Sequence, residues 1–525
     1  MRGAAALACT LVLAGCIRSG VRLAPLPPEA QRAGLTQSDY ILRRSLALGA
    51  FDSASALVAP GSPLAPDDDL LASLYRASAA FYGGRYDVSG AALERASILA
   101  DDRFTKSVSK NLLALVTNDN RLPYEPGQTE RLMINYYGML DYLRRGDPEG
   151  AAVEARRLSA LLESYDTRKD SVDVRTRALL NYLAGATFEA AGEKNDADVS
   201  YRVARALVGD SVLPFPGRTG AKPGNRVLPA TSSTSSKTIS PSSSATKVAK
   251  AVAPPTQTGE LIVVVEHGYV AHRVPRLILV PITSTEMERL GGKPAETLEA
   301  ALAITVRTVA FMSLQPNQLV WRDNDDDREV TMRDTVTVAY LLPVAWTSFR
   351  RPYRPQWRVS LTVDSTFSTT VPVAADLSDA VANDFRRSRA GMLTRGIARA
   401  AAKLALAKTA EQAAEKKHGE FAGSLTRWTL DAVNVYTERA DIRQWRLLPG
   451  EISVVRLTLP VGQHSLTLDY GAAGRVPRRI ALGQTRIAAG KIAFATARVW
   501  DDGVVEVGPT PAIVAAPAAT AHDKR

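Results

Sequence analysis

The sequence has very little cysteine and histidine, and this removes several kinds of chemistry. Cys9 and Cys16 are the only two cysteines among 525 residues. Because Cys9 lies within an N-terminal apolar segment, a chain cleaved before Cys16 can form no internal disulfide and no zinc–thiolate centre. Five histidines are present, and none has the two-histidine spacing of a metal site.

Catalytic and nucleotide-binding motifs are also missing from the sequence. It contains no GxSxG nucleophile turn, no phosphate-binding Walker loop and no GxGxxG fingerprint. His464 and Ser465 are adjacent on a predicted strand, so their side chains point to opposite faces and are not expected to form a base–nucleophile pair. The sequence therefore predicts no catalytic residue, no cofactor and no enzymatic activity.

Two other groups of polar residues are candidate metal sites. His267 and His272 lie on either side of a predicted hairpin, where a surface turn is the favoured interpretation. The acidic run 323–327 lacks the glycine and the distal glutamate of an EF-hand calcium loop. A solvated turn is favoured for this run, and no metal ligand is predicted.

The apolar run at the N-terminus is too short to span a bilayer and is typical of a secretory signal. It covers residues 4–14 and ends in Leu13-Ala14-Gly15-Cys16, which matches a lipobox. The pattern predicts a signal peptide at 1–15 and lipid attachment at Cys16. Stable anchoring follows because each buried methylene of the lipid contributes about 0.8 kcal/mol. Ile17 is not the aspartate that favours retention at the inner membrane, so the outer membrane, facing the periplasm, is the expected location.

The formal charge of +11 suits anionic lipid headgroups or peptidoglycan carboxylates, and no nucleic acid is expected as a partner in the envelope. The most basic helical stretch is 386–403, where Arg395, Arg399 and Lys403 form one stripe. An apolar stripe lies beside it, made by Leu393, Ile397, Ala400 and Leu404. The helix is predicted either to contact anionic headgroups or, the favoured alternative, to pack on a β-domain with its charges in solvent.

Composition and periodicity divide the rest of the chain. We predict a lipidated tether at 16–35, an α-helical repeat domain at 36–212, a disordered Ser/Pro-rich linker at 213–258 and an α+β domain at 259–508, followed by a disordered tail at 509–525. The fold class is thus multidomain, with a tetratricopeptide-like helical solenoid followed by an α+β domain rich in antiparallel strands.

The helical region contains a recurring spacing of small and aromatic residues. Its clearest unit has the pattern of a tetratricopeptide repeat, with predicted packing residues Gly185, Phe188, Gly192, Ala197, Tyr201 and Ala204. Related units surround Gly146 and Gly84. A short solenoid is favoured over a generic helical bundle because the turn glycine recurs in register.

The C-terminal region alternates with a period of two. Strands are predicted near 261–265 and 274–279 as a pair, then at 305–311, 330–340, 357–366, 452–459, 465–470, 478–482 and 492–499, with a helical insert at about 376–438. The segment 459–468 resembles the strand–turn–strand of PEGA-type modules, in which Leu466 and Leu468 would pack inward.

The order of lipobox, helical repeats, linker and C-terminal domain resembles a poorly characterised family of proteobacterial tetratricopeptide lipoproteins. The resemblance is carried by 136–158, by the Gly259–Gly268 opening and by 438–449. It implies architecture and location, and it implies no enzymatic activity.

Three functions follow as hypotheses. The first is a non-enzymatic scaffold at the outer membrane whose repeat groove binds an envelope protein. The second is a cell-wall or polysaccharide-processing enzyme with a site in the C-terminal domain. The third is a structural subunit of a secretion or assembly apparatus.

Overall fold

The computed structural model describes residues 25–107, 123–167, 172–216, 257–290, 296, 299–300, 302–308, 338–352, 357–418, 440–472 and 477–500. The chain is a mixed α/β protein, with a helical layer, two packed sheets and a separate two-stranded ribbon. None of the helices in these ranges is both long enough and apolar enough to span a bilayer.

In the described part of residues 25–216, nine helices form the N-terminal layer, and most of them pack as successive pairs. Side-chain caps fix several of their starts: Asp68 accepts hydrogen bonds from the amides of Leu70 and Leu71, and Asp173 accepts one from Thr176. The helices are α1 Pro28–Arg32, α2 Gln37–Ala47, α3 Phe51–Leu57, α4 Asp69–Tyr82, α5 Tyr86–Ser107, α6 Gln128–Arg144, α7 Pro148–Thr167, α8 Val174–Ala191 and α9 Lys194–Val208.

Glycines with positive φ make the turns inside three helix pairs. Gly84 joins α4 to α5, Gly146 joins α6 to α7 and Gly192 joins α8 to α9, with φ between +73° and +85°. The interval between these glycines is longer than the roughly 34 residues of a tetratricopeptide repeat. The helix pairs are therefore present, and a tetratricopeptide solenoid as such is not established by them.

The α8–α9 pair contains the residues that the sequence singled out. A Cβ added at Gly185 would lie 2.9 Å from the Tyr201 ring and 3.2 Å from the Ala197 carbonyl oxygen, so α9 crosses α8 closely at this glycine. Phe188, Ala197, Tyr201 and Ala204 are all buried.

Two four-stranded sheets form a sandwich. The inner sheet has the order β10-β1-β7-β6, with β1 parallel to β10 and antiparallel to β7, and the outer sheet has the order β5-β4-β8-β9. The strands are β1 Thr258–His267, β2 His272–Thr283, β3 Val338–Arg350, β4 Trp357–Val363, β5 Phe367–Thr370, β6 Val373–Asp376, β7 Glu451–Pro460, β8 Gly462–Ala472, β9 Arg478–Ile487 and β10 Ile492–Val499.

The inner sheet is buried on both faces. Leu261, Val263 and Val265 of β1 point into the core between the two sheets. Ile262 and Val264 point the other way and join the core of the helical layer. The helices and the sandwich are therefore packed together through one continuous apolar core.

The remaining strands, β2 and β3, form a two-stranded antiparallel ribbon. Helices α10 (Ser284–Leu290) and α11 (Leu377–His418) lie beside it. One face of the ribbon packs against α11, where Ile397 and Leu404 meet Val280 and Leu342 in a third core.

Several strand predictions need correction. The strand predicted at 261–265 does not pair with the one at 274–279: β1 pairs with β7 and β10, and β2 pairs with β3. The strand predicted at 305–311 is wrong for its described part, because residues 302–308 are helical. Ile304 and Ala300, four positions apart, pack on the core around α11, and this tertiary contact overrides the β-propensity of the segment.

The strand–turn–strand predicted at 459–468 does not form a simple hairpin. β7 ends at Pro460 and β8 begins at Gly462, but β7 belongs to the inner sheet and β8 to the outer sheet. Leu466 and Leu468 are buried in the core between the sheets. The turn therefore carries the chain from one layer of the sandwich to the other.

The C-terminal end of the predicted tether and the N-terminal end of the predicted linker both pack on the folded protein. Ala30 and Leu35 are buried, and the His272 Nε2 lies 2.9 Å from the Ala33 carbonyl oxygen. Leu213 and Phe215 are buried against the α8–α9 pair. Cys16, most of the linker, the tail and the acidic run 323–327 lie outside the described residues.

Candidate functional site

The candidate binding surface of the helical layer is the face formed by α2, α4, α6 and α8, the first helices of the successive pairs. In this protein the inner sheet and the segment 444–446 lie against that face. We call this contact the helix–sheet interface. Three buried polar clusters hold it.

The first cluster surrounds Glu266 on β1. The Tyr82 hydroxyl donates to Glu266 Oε2 at 2.8 Å, and the hydroxyls of Tyr136 and Tyr137 donate to Oε1 at 3.1 and 3.0 Å. Arg498 of β10 places a guanidinium nitrogen 3.9 Å from the same carboxylate. One strand residue is thus bound by two helices and a neighbouring strand.

Burial fixes the protonation of the three phenols. It raises the pKa of Tyr82, Tyr136 and Tyr137 well above the usual value of 10, and the negative charge of Glu266 acts in the same direction. The phenols therefore remain hydrogen-bond donors. Their role in this geometry is to stabilise the buried Glu266 side chain by hydrogen bonding, since all three hydroxyls are directed at it.

The second cluster surrounds Arg456 on β7. Its two terminal nitrogens bind both oxygens of Glu189 on α8, at 2.9 and 3.0 Å, and one also contacts the Tyr201 hydroxyl at 2.9 Å. The Glu260 carboxylate of β1 contacts the same guanidinium. Burial alone would lower the pKa of Arg456, but the hydrogen bonds that it donates to Glu189 and Glu260 raise it above the usual value. The arginine is therefore a permanent cation between two anions.

The third cluster is formed by the segment 444–446, part of the 438–449 motif noted in the sequence. Trp445 is fully buried; its indole nitrogen donates to the Ser78 hydroxyl at 2.8 Å and its amide to Glu130 Oε1 at 2.7 Å. Arg446 donates to Asp39 at 2.6 Å. This segment therefore inserts between α2, α4 and α6.

The histidines are placed differently from the sequence prediction. His267 and His272 are both buried, and neither lies in a surface turn. The His267 Nε2 lies 3.2 Å from the Ser453 hydroxyl, and His272 contacts the N-terminal segment. The surface-turn interpretation is wrong because the segment joining β1 to β2 packs under the helical layer, with Tyr269 and Val270 buried.

His464 and Ser465 both contact one carboxylate. The His464 Nδ1 lies 2.7 Å from Asp364 Oδ2, and the Ser465 amide donates to Asp364 Oδ1 at 2.8 Å. His464 Nε2 lies 2.8 Å from the Pro460 carbonyl oxygen, so both ring nitrogens are engaged. Burial opposes ionisation of Asp364, but the His464 contact keeps its pKa below the usual value. The arrangement ties the β4–β5 turn to the start of β8.

The basic stripe predicted on 386–403 is not a solvated surface. Arg399 is only 3% exposed. Arg395 lies near the Glu125 carboxyl group. Burial raises the pKa of Glu125, and the positive charge of Arg395 lowers it by a smaller amount. α11 contacts α6 as well as β3. The favoured interpretation is confirmed for the apolar stripe, because Leu393, Ile397, Ala400 and Leu404 pack in one core with the ribbon. It is wrong for Arg399, which is buried because the helix also packs against the helical layer.

One open cleft of about 840 Å³ lies between the α3–α4 loop and the helices behind it. Its lining includes Asp67, Asp69, Arg76 and Arg95, and Arg95 lies 4.0 Å from Asp69. These charges are half-exposed and partly neutralise one another. Within the described ranges, no cluster of three or more His, Cys, Asp or Glu side chains is arranged to hold a metal ion.

No protein-family model matches this chain. No curated protein and no solved structure is significantly similar to it.

Proposed function

We propose that this chain is a lipoprotein, anchored through Cys16 at the periplasmic face of the outer membrane, that acts as a non-enzymatic interaction scaffold for envelope proteins. The lipobox supports the anchor. The described structure begins at Pro25, nine residues after Cys16, so an extended chain between them spans at most about 32 Å. The folded body is therefore held close to the bilayer.

The observation that carries the scaffold proposal is the set of exposed apolar side chains on the outward helices α5, α7 and α9. The groove in which a partner was predicted to bind is filled by the helix–sheet interface, so that part of the prediction is wrong. The inward helix face binds the chain's own strands and Trp445, so a partner has the outward face of α5, α7 and α9 available. These helices present the exposed apolar side chains Ile98, Val153 and Val199. The buried ionisable groups of the helix–sheet interface bind one another across the two layers. This supports a structural role for them over a catalytic one.

The test is an envelope cross-linking and pull-down experiment with the full chain. A partner captured by the wild-type protein should be lost in the double variant Ile98→Glu/Val199→Glu and retained in Leu277→Glu/Leu279→Glu, whose sites are equally exposed but lie on the ribbon. Point variants are needed because removing 36–212 would uncover one whole face of the inner sheet.

Anchoring is measured separately. Cys16→Ser should abolish incorporation of labelled palmitate and move the protein from the membrane to the soluble fraction. The scaffold proposal fails if the wild-type protein captures no partner, or if the outward-face variant captures the same partner equally well.

A further inference from the structure

Four arginines close to the N-terminal end of the described chain make no ion pair with any carboxylate of the described residues. Arg32, Arg276 and Arg350 are exposed, and Arg389 is half-buried. We call these four residues the N-terminal arginine cluster. A guanidinium group without an internal anionic partner can bind an anion from outside the protein, so the surroundings of the cluster decide which anion it fits.

The N-terminal segment, residues 25–35, meets the ribbon beside two of these arginines. Arg32 ends α1, and the carbonyl oxygen of the next residue, Ala33, lies 2.9 Å from the His272 Nε2. His272 is the register partner of Arg350 in the β2–β3 ribbon. The chain that leads back to Cys16 therefore starts at the end of the ribbon that carries Arg350.

Arg276 and Arg389 continue the cluster along the ribbon. Gly34 packs on β2, where an added Cβ would lie 2.5 Å from the Val274 Cγ1 atom. Arg276 follows Val274 by two residues and lies on the same side of the strand. Its register partner is Trp346, and the Arg389 guanidinium lies 5.7 Å from the centroid of the Trp346 ring. Both arginines therefore lie beside one tryptophan, on the side of the ribbon that the N-terminal segment contacts.

Neighbouring acidic residues leave the cluster positive. Neither β2 nor β3 contains an aspartate or a glutamate. Asp376 and Asp379 are both bound by Arg351, the residue that follows Arg350. Glu29 is exposed on α1 and offsets one of the four positive charges. The charge of this surface is therefore complementary to an anionic partner.

The sequence between the cluster and the lipid carries charge of the same sign. Residues 17–24 contain Arg18 and Arg22 and no aspartate or glutamate. Basic residues beside a lipid anchor are attracted to the negative surface potential of a bilayer that contains anionic phospholipid. A single lipidated site is also held more stably when a basic surface contacts the same bilayer.

The length of this stretch keeps the cluster within reach of the bilayer. Pro25 lies nine residues after Cys16, so even a fully extended chain places it at most about 32 Å from the lipidated residue. The attraction between exposed charges falls off over a Debye length of about 8–10 Å, and a more compact path from Cys16 to Pro25 brings the cluster into that range. A phospholipid headgroup is therefore the anion that the position of the anchor supplies.

We propose that the N-terminal arginine cluster binds the anionic phospholipid headgroups of the membrane in which the Cys16 lipid is embedded. The inference rests on the proposed anchor for its setting, and it adds a second membrane contact made by folded residues. The guanidinium groups would donate hydrogen bonds to phosphate oxygens, for which their planar geometry is suited. Two contacts restrict how the folded body turns at the membrane, which a lipid on one residue does not.

The test uses vesicle flotation of the mature chain, residues 16–525, carrying Cys16→Ser so that no lipid is attached. With equimolar phosphatidylcholine and phosphatidylglycerol at low salt, we expect this parent protein to bind. The variant Arg32→Gln/Arg276→Gln/Arg350→Gln should lower the partition coefficient at least about tenfold, because three basic contacts with the anionic surface are lost. The parent should not bind vesicles of phosphatidylcholine alone.

The matched control is Arg175→Gln/Arg202→Gln/Arg486→Gln. These three arginines are also exposed and have no ion pair among the described residues, but they lie on α8, α9 and β9. The control changes the net charge by the same amount, so its partition coefficient should equal that of the parent. Arg18 and Arg22 are present in all three proteins, and the difference between the two variants therefore reports on the folded cluster.

Thermal unfolding should be the same for all three proteins, since the substituted side chains are exposed. The inference is overturned if the parent does not bind the anionic vesicles, or if the cluster variant binds them as well as the control does. It is also overturned if the parent binds neutral vesicles equally well, because charge then does not hold it. Sedimentation with purified peptidoglycan but no vesicle binding would assign the cluster to an anionic glycan instead. Palmitate labelling at Cys16 reports on the proposed anchor independently of these outcomes.

Discussion

Arg446 and Asp39 are 407 positions apart in the chain, yet a guanidinium nitrogen of Arg446 lies 2.6 Å from Asp39 Oδ2. Burial alone would raise the pKa of Asp39, but Arg446 and Arg43 together lower it to about 2. The pair joins α2 to the segment that precedes β7. This buried ion pair shows that the N-terminal helices and the segment before the C-terminal strands are held together by direct contacts.

Glu266→Gln should destabilise the protein strongly. The substitution keeps the shape of the side chain but removes the negative charge that Arg498 and the three phenols surround. Breaking a buried ion pair on one side costs about 3–5 kcal/mol, because the remaining charge stays buried without its partner. Urea unfolding measures this loss. Glu149→Gln, at an exposed site on α7, should change the free energy of unfolding by less than about 0.5 kcal/mol.

Two helical glycines should respond oppositely to alanine. At Gly185 the new Cβ would lie 2.9 Å from the Tyr201 ring, so Gly185→Ala should cost about 1–3 kcal/mol of stability. At Gly90 the nearest atom is 3.9 Å away, so Gly90→Ala should be neutral or stabilising by up to about 1 kcal/mol. Equal effects at both sites, measured by thermal unfolding, would contradict the close crossing of α8 and α9.

The buried carboxyl of Asp141 should make stability depend on pH. Burial raises its pKa to about 8, against the smaller lowering effect of the nearby Ser89 hydroxyl. Between pH 4 and 8 the folded protein holds a proton that the unfolded chain has released. The free energy of unfolding therefore decreases as the pH rises through this range, by at most about 1.4 kcal/mol per unit. Asp141→Asn should remove this slope from urea unfolding measured at pH 5, 6, 7 and 8, and an unchanged slope would show that Asp141 is ionised in the fold.

His272 should make the free energy of unfolding decrease as the pH falls, which is the opposite of the pH dependence expected from Asp141. Burial, with the nearby charges of Arg43 and Arg446, lowers its pKa to about 3. Between pH 6.5 and 3 the unfolded chain takes up a proton that the folded protein does not, so stability is lost as the pH falls. His272→Gln keeps a donor for the Ala33 carbonyl and does not titrate. The variant should lose less stability than the wild-type protein between pH 7 and pH 5, and an equal loss would assign the acid sensitivity to other groups.

Local patterns predicted most of the elements. The spacing of small and apolar residues gives the helix pairs, and the period of two gives β1, β4 and β7 to β10. The turn at Gly192 can be predicted from the residue type, because only glycine adopts a φ of +85° there without strain. These features depend on residues within about 20 positions of one another.

The helix–sheet interface could not be predicted in this way. Charged residues within a strand, such as Glu266, Arg456 and Arg498, ordinarily mark a face that contacts solvent. That face is covered by helices that are distant in sequence. One signal was present: 261–265 is uninterrupted by polar residues, which is typical of a strand buried on both faces.

The parallel pairing of β1 with β10 has a consequence for how the chain folds. β10 ends at Val499, more than 200 residues after β1, and Trp500 packs on Tyr82 of the helical layer. During synthesis the N-terminus is made first. The edge of β1 that pairs with β10 therefore stays unpaired until nearly all of the described sequence has been synthesised. Such long-range pairing slows folding and leaves apolar strand edges open to aggregation. We expect newly made chains to depend on a holding chaperone, and truncation before β10 to send them to proteolysis.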